Sequence, residues 1–180
     1  MMRSVITIAL LVCFAPAIQG AEVENPYRNA KVGDWVEYKM TGQNIEGSTK
    51  MTVVSKDDKE VTYEVAATFS FMGNKTTGPV QTMKIDLTKD YDAISAANLK
   101  ANNVQIEKLA EGKEKLKTAG KEYDTKWTQL RATSTVNGMT IVTDYKMWFC
   151  KDVPLSGLVR MNTTGSGLTT KLELVGSGSK

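Results

Sequence analysis

Apolar and polar side chains alternate over long stretches of this chain, and this alternation restricts the fold more than any other feature of the sequence. From Glu60 to Phe71 every odd position is apolar, and the even positions are mainly glutamate, threonine and serine. Successive side chains of a strand point to opposite faces, so the segment predicts a strand with one apolar and one polar face. Half-buried strands of this kind are typical of antiparallel sheets.

The same alternation recurs in four further segments. Their apolar positions are Val36, Tyr38 and Met40; Met83, Ile85 and Leu87; Met139, Ile141, Tyr145, Met147 and Phe149; and Leu168, Leu172 and Leu174. Reversals of the chain are predicted at Gly73-Asn74, Glu111-Gly112, Ala119-Gly120, Asn137-Gly138 and Gly165-Ser166-Gly167. About nine or ten strands joined by short connections predict a meander.

Helical periodicity is weak. The segment from Asp90 to Lys100 contains three alanines with Ile94 and Leu99, and it predicts either one short helix or an irregular crossover. The expected fold class is therefore all-β, or β-rich with one short helix. A sheet of this many strands must cover its apolar face. We therefore expect a curved antiparallel meander sheet that forms a half-barrel or an open barrel, with a sandwich as the alternative.

The N-terminus has the pattern of a secretory signal peptide. Arg3 is the only charge before Glu22, an apolar run extends from Val5 to Phe14, and small residues allow cleavage after Gly20 or Ala21. We expect export to the periplasm or the extracellular space. The apolar run is shorter than the roughly 20 residues that span a membrane, and no later run is longer, so a transmembrane protein is not expected.

These observations divide the chain into three parts. Residues 1–21 are predicted to be the signal peptide, and residues 22–175 a single β domain. Residues 176–180, with the sequence Gly-Ser-Gly-Ser-Lys, are predicted to be a flexible tail. The sequence leaves the oligomeric state open.

The two cysteines allow several interpretations. Cys13 follows Val12 rather than a small residue, so lipid anchoring at Cys13 is disfavoured against a cysteine that is simply part of the apolar run. After cleavage Cys150 has no partner for an internal disulfide. Cys150 is then either a small core side chain, an intermolecular disulfide, or a reactive thiol beside Lys151.

The residue content excludes the commonest catalytic machinery. There is no histidine, which removes Ser-His-Asp and Cys-His nucleophiles and the usual zinc and copper sites. Phosphate-binding loops and nucleophile elbows are absent as motifs. We therefore expect no enzyme, no metal and no cofactor, with a hydrolase using paired carboxylates or lysine as a minor alternative.

The charge distribution argues against nucleic-acid binding. The chain has 23 Lys and Arg and 20 Asp and Glu, a net charge of +3. No block of like charge dominates, whereas nucleic-acid-binding proteins usually cluster their basic residues. A hydrophobic ligand or a protein is the more plausible partner.

Aromatic side chains on the predicted strands are the candidate ligand-binding residues. They are Trp35, Phe69, Phe71, Trp127, Tyr145 and Trp148. Seven methionines accompany them, and methionine-rich apolar surfaces adapt to irregular ligands. These side chains either line an apolar cavity of a curled sheet or fill its core.

One C-terminal region carries a resemblance to known proteins. Ala119 to Tyr123 opens a long strand, Lys146 to Cys150 ends the next strand, and Lys151 to Met161 follows. The stretch from Trp148 to Val159 has the form W-x-x-x-D-V-P-x-x-G-L-V. It resembles uncharacterised exported bacterial proteins and the closing strands of the LolA/LolB-like lipoprotein-carrier superfamily. The resemblance implies a curved half-barrel around a helix, with an apolar cavity for acyl chains, and carries over no individual binding residue.

Two functional hypotheses follow. In the first, the chain is an exported, non-enzymatic β domain that binds an apolar or lipid-like ligand in a half-barrel cavity. In the second, it is a structural or protein-interaction module with a fully packed sheet and no small-molecule ligand, and it dimerises through an edge strand or Cys150.

Overall fold

The computed structural model describes residues 25–89, 104–136 and 138–179. The predicted signal peptide, Cys13, the segment from Asp90 to Lys100, Asn137 and Lys180 lie outside the described residues.

The described residues form one antiparallel sheet of ten strands, preceded by a short 3-10 helix, Pro26–Asn29. The strands are β1 Trp35–Gly42, β2 Ile45–Lys56, β3 Glu60–Phe71, β4 Asn74–Thr77, β5 Gln81–Asp86, β6 Val104–Thr118, β7 Lys121–Val136, β8 Met139–Phe149, β9 Leu158–Gly165 and β10 Leu168–Gly178. The all-β fold class is confirmed, and β3 has the bounds that its alternation indicates.

The strand order is more specific than the predicted meander. The order is β4-β3-β2-β1-β10-β9-β8-β7-β6, and β5 pairs with β3 beside β4. Two meanders, β1 to β5 and β6 to β10, are therefore joined by pairing of the first strand with the last. The pattern of one strand cannot show this, because apolar alternation specifies a face and not a neighbour.

The sheet is curved and open, as a half-barrel is. The two edges of the strand order, β4 with β5 and β6, do not pair with each other. The tip of the β6–β7 hairpin nevertheless reaches β10, where the Thr118 hydroxyl donates a 2.8 Å hydrogen bond to the Leu174 carbonyl. Because β6 is four places from β10 in the sheet, this contact requires the sheet to bend.

Most predicted reversals are confirmed, and one is wrong. Gly73, Gly120, Gly138 and Gly167 lie in turns with positive φ angles. Gly112 instead lies inside β6, opposite Trp127 of β7. A Cβ at this position would lie 2.8 Å from the Trp127 ring, so this glycine makes room for an indole rather than a turn.

The predicted flexible tail is also corrected. Gly176, Ser177 and Gly178 continue β10 and pair with Glu37, Val36 and Trp35 of β1. The glycines are needed because a Cβ on Gly176 or Gly178 would lie 3.1 Å from the indole of Trp35. Glycine here serves close packing and not flexibility.

Most of the core lies on one side of the sheet, which we call the core face; the other side is the outer face. Leu116, Tyr123 and Trp148 lie on the outer face by register and are also buried. Val36, Tyr38 and Met40 of β1 are buried on the core face. The 3-10 helix covers one end of this face, where the ring of Tyr27 stacks on Tyr63 at 5.7 Å. We call this the closed end.

The loop between β8 and β9 also packs on the closed end. Its Val153 and Leu155 are buried, and the Tyr38 hydroxyl donates a 3.0 Å hydrogen bond to the carbonyl of Leu158, where β9 begins. Complete burial raises the pKa of Tyr38 far above its ordinary value. Tyr38 therefore stays neutral and ties the loop to β1.

No helix among the described residues is long and apolar enough to cross a membrane.

Candidate functional site

The core face changes from closed to open along the strands. On β3 the exposed fraction rises from 0% at Val61 to 50% at Phe71. On β10 it rises from 0% at Leu174 to 47% at Leu168, and on β8 from 6% at Met147 to 65% at Met139. These increases run toward the end of the sheet that contains the β1–β2 turn. Phe71 is in register with Gly42, which lies next to that turn. Leu168 lies two residues beyond Thr170, the partner of Gly42 on β10. We call this the open end.

The open end presents large apolar side chains around smaller ones. Following the register from β3 to β8, one row crosses the core face through Phe71, Ile45, Gly42, Thr170, Thr163 and Tyr145. The members in the middle of the row are glycine and threonine, and an aromatic ring stands at each end. We call this row, with small side chains in its middle and an aromatic ring at each end, the trough.

The structure divides the six candidate aromatics between the two faces. Phe69, Phe71 and Tyr145 lie on the core face at or next to the open end, where Phe69 and Tyr145 are half-buried. Burial raises the pKa of Tyr145, against the opposing effect of a hydrogen bond with Thr143. These three residues are the part of the predicted set that the fold brings onto one surface.

Trp35, Trp127 and Trp148 lie on the outer face. Trp127 and Trp148 are register partners on β7 and β8, and the Lys146 ammonium lies 4.2 Å and 4.7 Å from their ring centroids. The Lys50 ammonium lies 4.6 Å from the centroid of Trp35. These cation–π contacts, together with the recesses at Gly112, Gly176 and Gly178, occupy the faces of the indoles. The tryptophans therefore stabilise the outer face and do not line the trough.

The fit of Trp127 over Gly112 leads to a prediction. We expect Gly112→Val to lower the free energy of unfolding by about 1–3 kcal/mol, because the new side chain overlaps the indole. Urea denaturation would measure this loss. Combining Gly112→Val with Trp127→Ala should cost less than the sum of the two single changes, since the overlap disappears; additive losses would contradict the explanation.

Ion pairs organise the rest of the outer face around β7 to β10. The Glu173 carboxylate accepts hydrogen bonds from Arg160 and Lys171. Burial acts to raise the pKa of Glu173, but these bonds outweigh burial and hold it below the usual range. Arg131 makes a two-pronged pair with Asp144 at 2.8 and 2.9 Å, and its hydrogen bond lowers the pKa of Asp144.

One carboxylate of the described residues is buried. It belongs to Asp34, which accepts hydrogen bonds from the Lys31 amide at 2.8 Å and from the Ser179 hydroxyl. Asp34 therefore holds a turn and the end of β10. Within the described ranges, no cluster of three or more Cys, Asp or Glu side chains is placed to hold a metal.

Cys150 is buried directly after β8. Its amide donates a 2.8 Å hydrogen bond to the Gly157 carbonyl, and its carbonyl accepts from Val153. A Cβ on Gly157 would lie 3.0 Å from that same carbonyl, which explains the glycine of the Pro154 to Gly157 bend. This burial favours the core interpretation of Cys150, and the intermolecular disulfide stays a prediction.

A separate depression of about 490 Å³ lies near the ends of β6, β7 and β8. It is lined by Val104, Gln105, Thr133, Thr135 and Thr140. None of the six candidate aromatics contributes to it, so it is not the apolar cavity that the sequence predicts.

Sequence reasoning missed part of the open end. Ile45 and Met72 belong to no alternating segment that it identified, although Met72 lies beside the predicted reversal at Gly73-Asn74. Leu168 and Met139 were assigned correctly to the apolar face of their strands. Their exposure was not foreseeable, because alternation reports the direction of a side chain and not what covers it.

Comparisons with known proteins bear on the fold. No protein-family model matches the chain, and no curated protein matches it. A solved structure from Bacteroides fragilis, of a protein described as exported and as having a YmcC-like fold, is similar with a TM-score of 0.50 and 9% identity, over 83% of this chain and 97% of that chain. A Parabacteroides distasonis protein described as a lipoprotein has a TM-score of 0.45 and 12% identity, over 82% and 96%.

At such low identity the first of these similarities concerns the fold alone. The resemblance to lipoprotein carriers is not among these findings, and it stays a prediction from the C-terminal motif.

Proposed function

We propose that this chain is an exported, non-enzymatic β domain that holds an apolar or amphipathic ligand against the open end of its core face. The observation that carries the proposal is the loss of burial toward the open end on β3, β8 and β10. Folding alone favours covering such side chains, and apolar surface that a monomer leaves exposed marks a site of interaction.

The shape of the trough supports a ligand of the acyl-chain type. Phe71 and Tyr145 flank a row whose centre is Gly42, Thr170 and Thr163. An extended hydrocarbon chain that lies along the row can contact small residues in its middle and an aromatic ring at each end. Threonine hydroxyls within the same row offer hydrogen bonds to a polar group of an amphipathic ligand.

Three carboxylates already have structural partners, and this supports a role without catalysis. Asp144 and Glu173 are engaged by arginine and lysine on the outer face, and Asp34 holds a turn. A general acid or base needs a carboxylate that is free to approach a substrate. Export rests on the N-terminal signal pattern, and the similar Bacteroides fragilis protein is itself described as exported.

The sheet edges argue against dimerisation through edge strands. β6 carries lysine and glutamate along most of its length and has a bulge between Lys108 and Ala110. On the other edge Pro79 separates β4 from β5. Charged side chains, bulges and proline are the devices by which natural sheets prevent edge-to-edge pairing. An interaction module would therefore have to use a surface other than the sheet edges.

A fluorescent apolar probe tests the proposal. We expect purified protein to bind 1-N-phenylnaphthylamine saturably, and the double variant Phe71→Ser/Leu168→Ser to bind it roughly tenfold more weakly, because two half-exposed apolar contacts are lost. Val142→Ser is the matched control. Val142 is similarly exposed, but it lies on the outer face, with Asp144.

Urea denaturation of each variant would establish that it is folded. Weaker binding in the double variant, with unchanged binding in Val142→Ser, would support the proposal. Absence of saturable binding by the unmodified protein, or an equal loss in Val142→Ser, would overturn it in favour of a packed interaction module.

A further inference from the structure

Two methionines at the open end differ from the buried methionines of the core. Met72 is 68% exposed and Met139 is 65% exposed. Met40, Met51, Met147 and Met161 are only 3–8% exposed. Among the described residues, the two most exposed thioethers are therefore both at the open end.

Met72 also has an unusual backbone conformation for its residue type. It lies in the two-residue turn between β3 and β4 with φ of 50°. The left-handed region disfavours bulky side chains, and other turns of this protein place Asn44, Ala119 or Ser166 there. Leu155 also has a positive φ, but it is buried. Burial does not compensate for the conformation of Met72, because its side chain is exposed. Within the described residues, the fold therefore does not explain an apolar side chain at this turn.

Met139 begins β8 on the same face as Tyr145 and Met147. It pairs with Val136 across the β7–β8 turn. Met72 follows Phe71 at one end of the row, and Met139 lies six residues beyond Tyr145, the other end of the row, along β8. Both stand at hairpin turns of the open end, and we call this pair the methionine rim.

We propose that the methionine rim is an oxidation-sensitive site that controls access of the apolar ligand to the open end. This inference rests on the proposed function. The co-reactant is a peroxide, a class of oxidant that an exported protein meets outside the cell. The thioether sulfur is oxidised by two electrons and takes one peroxide oxygen as a sulfoxide, the O–O bond breaks, and the other oxygen leaves as water.

Oxidation at the methionine rim changes the surface that the proposed ligand contacts. A sulfoxide is polar and accepts hydrogen bonds from water, so it disfavours contact with a hydrocarbon ligand. The change is reversible by methionine sulfoxide reductases. Oxidation therefore weakens ligand binding while the buried methionines, and with them the fold, remain unchanged.

The experiment treats the purified protein with limiting hydrogen peroxide and maps oxidised peptides by mass spectrometry. We expect Met72 and Met139 to be oxidised first. In parallel, binding of 1-N-phenylnaphthylamine should weaken about tenfold, since both rim contacts are altered. The double variant Met72→Leu/Met139→Leu should bind the probe normally and lose its sensitivity to peroxide. Met161→Leu is the control and should stay sensitive.

The two proposals fail in different ways. Preferential oxidation of the rim without any probe binding before treatment would overturn the proposed function and, with it, the control of access. Normal probe binding that survives oxidation of Met72 and Met139 would overturn the inference and leave the proposed function intact. Oxidation of the buried methionines before the rim would also overturn the inference.

Discussion

Leu174→Ala is expected to destabilise the protein by about 2–5 kcal/mol, the range for removing a large side chain from a well-packed core. Leu174 is completely buried on the core face of β10. It lies in register with Tyr38 of β1, at the seam that joins the two meanders. A cavity here would weaken the contact between both halves of the sheet, and urea denaturation would measure the loss.

Leu168→Ala is the matched control for this prediction. Leu168 is the same residue type on the same strand and the same face, but it lies at the open end, where it is 47% exposed. We expect it to cost only about 0.5 kcal/mol, as is usual for partly exposed positions. Equal losses in the two variants would show that the open end is packed as tightly as the closed end. The burial gradient would then no longer support a binding site.

Removing residues 176–180 is expected to lower the free energy of unfolding by about 3 kcal/mol. Three register pairs between β10 and β1 disappear, and each hydrogen bond contributes about 1 kcal/mol. Trp35 loses the glycines that it packs on, and Asp34 loses the hydrogen bond from Ser179. The midpoint of urea unfolding should fall accordingly, and the fluorescence of Trp35 should shift to longer wavelength.

Removing Lys180 alone is the control for this truncation, since it leaves β10 and Ser179 in place. We expect a change within about 0.5 kcal/mol. A five-residue truncation as harmless as the one-residue truncation would mean that the tail is flexible, as its composition indicates. In that case the pairing of Gly176 with Glu37 would not contribute to stability.

The strands themselves were predictable from local pattern. Glu60 to Phe71 alternates without a break, and β3 has those bounds. The bend after Cys150 was also readable, because proline cannot donate to a ladder and Gly157 permits a positive φ. In these places one physical rule acts within a few residues, so the sequence alone is sufficient.

Glycine shows where local reasoning is not sufficient. Gly120 and Gly138 lie in turns, as predicted. Gly112 and Gly176 lie inside strands, because an indole from the neighbouring strand occupies the space of a side chain. Glycine is needed for its backbone conformation in the turns and for its lack of a side chain in the strands. For Gly176, the indole that requires a glycine belongs to Trp35, which is distant in the sequence.

The positions of the candidate aromatic residues were likewise only partly predictable from the sequence. Alternation assigned Phe69, Phe71 and Tyr145 to apolar faces of their strands, and the structure places them there. The three tryptophans were equally plausible by composition, but the structure places them on the outer face, where lysines cover Trp35, Trp127 and Trp148. A single strand does not show which of its faces will be covered.

The sequence by itself determined the strand-forming segments, most of the turns, the predicted export and the absence of histidine chemistry, since each depends on residue type or on short-range spacing. Only the tertiary structure decided that β1 pairs with β10, that the last glycines belong to a strand, and that the core face is closed at one end and open at the other. These features depend on contacts between residues far apart in the chain. Their free energies arise from packing and not from local conformational preference.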